Sequence, residues 1–139
     1  MKKTIHLLLL LLLFTSALPP SWAEDEIPAA APTAIYYAIP KPFTINFLNQ
    51  SHKKARYLQI KVTLMARDQE VIDNAKLNLP MLQDALRSLF SEQSFETVST
   101  IKGRKALQAD ALKTIKTLLK QETGNEKLDA VYFTSFILQ

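Results

Sequence analysis

Cysteine is absent from this 139-residue chain, which excludes disulfides, thiolate metal sites and a cysteine nucleophile. Glycine is nearly absent. Gly103 and Gly124 stand alone, and two isolated glycines cannot build a phosphate-cradling loop. Histidine is equally scarce: His6 falls in the leader discussed below, and His52 sits in a polar stretch beside Lys53 and Lys54, the setting of a solvated side chain. No second histidine is left to complete a metal site or a triad, and no Gly-x-Ser-x-Gly or His-x-x-x-His spacing occurs. The carboxylates Asp68, Glu70 and Asp73 gather where a helix is expected to start, where negative charge complements the helix dipole without any catalytic duty. The chain therefore reads as a non-enzyme. A formal charge of +4 is modest for a nucleic-acid binder, and no motif of that class is present, so nucleic acid is not an expected partner.

Long apolar runs are limited to one. Lys2 and Lys3 precede Ile5 to Leu18, and Pro19, Pro20, Ser21, Trp22 and Ala23 follow, with small residues at the two positions that matter for cleavage before Glu24. This predicts a secretory signal peptide over residues 1–23. The alternative is an uncleaved membrane anchor, for which the run is short against the roughly 20 apolar residues that cross a bilayer. Residues 24–34, with Pro28, Pro32 and several alanines, show no amphipathic period and read as a linker. One domain over residues 35–139 is left, carrying 15 basic and 10 acidic side chains.

The clearest periodic signal in that domain is Arg56 to Arg67. Leu58, Ile60, Val62, Leu64 and Ala66 alternate with Gln59, Lys61, Thr63 and Met65, the pattern of a half-buried strand. Ahead of it, Ile35 to Pro42 is extended because proline forces its preceding residue out of the helical region. Phe43, Ile45 and Phe47 then alternate with polar residues, predicting a strand joined to the central one as an antiparallel hairpin.

After Arg67 the period changes. Ile72, Ala75, Leu79, Leu82, Leu86 and Leu89 keep spacings of three and four, predicting one helix from about Gln69 to Glu92. Pro80 falls inside it, and since the stripe keeps its phase there, one bent helix or two nearly collinear ones are expected. Ser94 to Ser99 is a connector with room for a short helical turn. A second helix, about Thr100 to Gln121, carries Leu107, Ala111, Ile115 and Leu118, widened by Leu112 and Leu119; Gly124 and Asn125 supply its cap. Lys102, Lys105, Lys113, Lys116 and Lys120 fall on its opposite side, a candidate contact for an anionic membrane or polymer surface. Val131 to Leu138 forms a last strand antiparallel to the central one. Phe133, Phe136 and Ile137 make it apolar on both faces and mark it as a candidate edge for a partner. The fold class is α+β: a small antiparallel sheet, made of the N-terminal hairpin and the C-terminal strand, covered by two helices.

Six stretches in this order carry a resemblance: Pro42-Phe-Thr-Ile-Asn46, Arg56-Tyr-Leu-Gln59, Leu79-Pro-Met-Leu-Gln-Asp-Ala-Leu86, Leu89 to Ser94, Thr100-Ile-Lys-Gly-Arg-Lys-Ala-Leu107 and Val131-Tyr-Phe-Thr-Ser-Phe-Ile-Leu-Gln139. Together they resemble the flagellar basal-body-associated FliL family. The resemblance implies a periplasmic domain similar to the stomatin-type (SPFH) fold and the absence of a cofactor. It implies flagellar stator and basal-body proteins as partners, a role in motility close to the inner membrane, and homo-oligomeric rings as an assembly. Members of the family are normally held by an uncleaved helix; the short apolar run here resembles instead a secreted or secondary member. The candidate partner contacts are Phe133, Phe136 and Ile137 on the last strand and Lys113, Lys116 and Lys120 on the second helix.

Overall fold

The computed structural model describes residues 30–47 and 55–139. The leader expected over residues 1–23, most of the linker and the turn bearing His52, Lys53 and Lys54 lie outside the described residues. The sheet is built around β3 (Tyr57–Ala66), the alternating stretch, whose Leu58, Ile60, Val62, Leu64 and Ala66 are all buried. Two short strands share one of its edges. β1 (Ile35–Ala38) pairs with its second half, Ile35 opposite Ala66, and β2 (Phe43–Asn46) pairs with its first half, Phe43 opposite Ile60. Both pairings are antiparallel, as expected for the hairpin. The extended stretch ahead of Pro40 goes further than the sequence suggested, because it becomes a ladder strand. The Ile39 N–H still donates to Val62 O at 2.9 Å, and the ladder then stops at Pro40, which has no N–H to continue it.

On the other edge lies β4 (Ala130–Leu138), antiparallel to β3 along its whole length. Its register holds a correction. Lys61 faces Ser135 but Val62 faces Phe133, so Thr134 is an extra residue, a β-bulge. One added residue reverses the alternation beyond it. Phe133 and Phe136, three apart, therefore share the inner face, together with Val131 and Leu138, and pack on the core. The strand is not apolar on both faces: the outer side carries Tyr132, Thr134, Ser135 and Ile137, and only Tyr132 and Ile137 supply large apolar surface there.

Four helices, not two, cover the inner face. The first stripe is divided into α1 (Gln69–Leu77) and α2 (Leu79–Ser91) by Asn78, whose φ of −99° and ψ of 18° lie off the helical region. Pro80 stands in the first turn of α2, where a missing N–H costs nothing. The interruption is one residue long. Asn78 N–H donates to Asn74 O at 3.0 Å and Leu82 N–H to Asn78 O at 3.1 Å. Beyond it the buried positions are Leu82, Leu86 and Phe90, so Phe90 takes the place expected of Leu89. Its ring meets Phe43 at 5.2 Å and Phe133 at 5.7 Å, both edge-on, and so joins both sides of the sheet through the core.

The connector holds the short helix α3 (Phe95–Ser99), capped by Ser94, and α4 (Ile101–Thr123) follows. Leu107, Ala111, Ile115 and Leu119 are its buried side chains, with Gly103 in line, while Leu112 and Leu118 flank them half-buried. A strict four-residue ridge thus replaces the expected Leu118. Gly124 ends the helix with φ of 74° and donates its N–H to Lys120 O. The core is continuous and apolar, and among the described residues no polar or charged side chain is buried in it.

Candidate functional site

Among the described residues the polar chemistry lies on exposed or half-exposed faces. Asp68 caps α1 by accepting from the Glu70 N–H at 3.0 Å, and Asp73 accepts from Gln69 Nε2 and pairs with Lys76 at 3.5 Å, so those carboxylates serve the helix start as their sequence position suggested. Among the described residues, no group of three or more His, Cys, Asp or Glu side chains stands close enough to hold a metal ion.

Three surfaces remain. The first is the outer side of β4. Ile137 is 39% exposed there, on the face away from the helices. Phe133 and Phe136, named with it from the sequence, are instead half-buried beneath the sheet, 6.0 Å apart and tilted by 31°. Arg104 closes over them: its guanidinium lies 4.7 Å from the Phe136 ring, and its Nε donates to Val98 O at 2.9 Å, tying α3, α4 and β4 together. Gln108 Nε2 donates to Val131 O at 2.6 Å, so the start of the β4 edge is occupied by an α4 side chain. Of the three apolar residues singled out on this strand, only Ile137 is offered to solvent.

The second surface escaped the sequence reading. Among the described residues the sheet has helices on one side only, and its outer face carries Tyr36 from β1 and Tyr132 from β4, 62% and 38% exposed, with ring centroids 6.3 Å apart. They flank β3 because Tyr36 pairs with Met65 and Tyr132 with Thr63. The same face carries Thr134 and Ser135 from β4 and, toward the other end of β3, the Thr44–Gln59 pair, and Lys61 is the single charge that β3 contributes to it. The two tyrosines are 96 positions apart in sequence, and only the pairing of β1 and β4 with the same strand brings them together.

The third surface is the lysine side of α4. Lys102, Lys105, Lys113 and Lys120 are exposed and Lys116 is half-exposed, opposite the buried ridge. Lys120 pairs with Glu126 at 3.2 Å. Lys113 borders an open groove of about 470 Å³ shared with Leu89 and Leu118. On its other flank Lys116 borders one of about 430 Å³ with Arg67, Lys127 and Asp129, where Arg67 already holds Asp129 at 3.3 Å.

The described residues form an α+β domain, an antiparallel sheet with helices on one side and its polar groups on exposed faces. Residues 36–139 match the family model described as flagellar basal body-associated protein FliL, a stretch that runs from β1 through β4. A flagellar protein FliL from Aquifex aeolicus (strain VF5) is 31% identical over 116 residues, covering 82% of this chain and 68% of that one. Proteins of the same name from Escherichia coli (strain K12) and Shigella flexneri are each 30% identical over 108 residues, covering 78% of this chain and 67% of theirs. The chain belongs to the FliL family, a family of flagellar accessory proteins rather than of enzymes. Among the described residues no helix is long and apolar enough to cross a membrane.

Proposed function

We propose that this chain supports motility as a non-enzymatic component of the flagellar basal body, working in the periplasm in association with the stator. The observation that carries the reading is the extent of the family match, which covers the folded domain from Tyr36 to Gln139 rather than one motif in it. The one-sided sheet supports it further, since an uncovered face with exposed Tyr36, Tyr132 and Ile137 suits protein contact. A fold of stomatin type and self-assembly into rings belong to the same proposal, as does export through the leader over residues 1–23.

Affinity capture of the full chain from its own flagellated host tests the partner. Stator proteins should be recovered, and Ile137→Asp should lower recovery by about fivefold, a loss of roughly 1 kcal/mol of contact energy, without moving the melting temperature. Recovery of basal-body proteins without the stator would contradict this assignment.

A further inference from the structure

Charge is unevenly shared in this domain. Among the described residues α4 carries six basic and two acidic side chains, whereas the remaining described residues carry seven basic and eight acidic ones. The positive excess of the described residues is therefore the charge of one helix. At 100° per residue, Lys102, Lys105, Lys113, Lys116 and Lys120 fall within one stripe about 27 Å long, while Asp110 and Glu122 fall outside it. Ala109 falls within the stripe, Ala106 lies just beyond one border, and the half-buried Leu112 lies just beyond the other.

We propose that this stripe is an electrostatic docking surface for an anionic lipid bilayer. The type of cation decides the occupant. Arginine recognises a fixed carboxylate or phosphate through a planar fork, whereas lysine is a flexible point charge that follows a field. The one arginine of α4, Arg104, is drawn inward to Val98 O and Phe136, and the stripe itself is lysine alone. A row of mobile ammonium groups along the exposed side of one helix matches a plane of mobile headgroups better than an acidic peptide, whose fixed carboxylates suit the planar fork of arginine. Of the five lysines only Lys120 takes part in an ion pair among the described residues, and that pair is exposed and weak. Lys127, beside Lys116 at the groove, extends the positive surface at one end.

Sedimentation of the full chain with phosphatidylcholine vesicles, made with and without phosphatidylglycerol, tests this independently of any flagellar role. Any binding through residues 1–23 is common to every variant, so the ratio of the two affinities, compared between variants, is the quantity read. Each lysine near an anionic surface contributes about fivefold, and Lys113→Gln with Lys116→Gln should therefore lower the ratio by about 25-fold. Lys41→Gln with Lys61→Gln, which removes equal charge elsewhere, should leave it within about twofold. Raising salt from about 0.1 M to about 1 M should abolish the preference in the wild-type chain. Equal losses in the two double variants, or no loss in the stripe variant, would overturn the proposal. Binding to soluble polyglutamate without preference for phosphatidylglycerol would also overturn it, in favour of an acidic protein partner.

Discussion

The two glycines of this chain do different work. A Cβ built on Gly103 would lie 1.8 Å from Thr97 O and 2.9 Å from Thr100 Oγ1, because α4 starts against the last turn of α3. Thr100 Oγ1 makes this junction by donating to Thr97 O at 3.0 Å and accepting from the Gly103 N–H at 2.9 Å. Gly103→Ala must push backbone apart and should cost on the order of 3 kcal/mol, read as a lower urea midpoint at unchanged slope. Gly124 has open space around it and needs only its positive φ, so Gly124→Ala should cost about 1 kcal/mol. Equal effects would contradict this division. The cap at Gly124 was legible, because Gly-Asn after a periodic run is a local signal. The role of Gly103 was not, since it depends on a short helix folding back within hydrogen-bond reach of it.

Among the elements, β4 shows where sequence reasoning stops. Its strand character, direction and apolar content were readable, but a bulge leaves no mark on period-two counting beyond an odd spacing between Phe133 and Phe136. Deleting Thr134 should restore a regular ladder with Val131, Phe133, Phe136 and Leu138 still inward. We expect a folded domain within about 2 kcal/mol of the parent, more prone to edge-to-edge association in sedimentation. Unfolding would show that the twist at the bulge is required. The α1–α2 break was half legible: the apolar phase and Pro80 were seen, while the residue that leaves the helix is Asn78. Pro80 is exposed and stands in a first turn, so Pro80→Ala should change stability by no more than about 1 kcal/mol. A loss above about 3 kcal/mol in a thermal melt would mean the ring itself is needed where the two helices meet.

The described residues form a four-stranded sheet with helices on one side, basic on α4 and hydroxyl-rich with two tyrosines on the other sheet face. The α+β class and the antiparallel pairing of β2 and β4 with β3 were legible from the hydrophobic periods and the connections between elements, whereas the β1 pairing was not, and the Tyr36–Tyr132 surface required the topology that sets β1 and β4 on either side of β3. The lysine stripe needed only helical spacing and was visible in the sequence; that α4 holds the positive excess of the described residues follows from the bounds of that helix. Membership of the FliL family marks the chain as a flagellar basal-body-associated protein. The central claim is tested most directly by imaging the full chain, fluorescently tagged at its last residue and expressed from its own locus in its flagellated host. The protein should form foci that coincide with labelled flagellar bases, and deleting the gene should impair swimming that the wild-type chain restores. A uniform envelope signal with no focus at the flagellar bases, in cells that assemble flagella normally, would contradict the account.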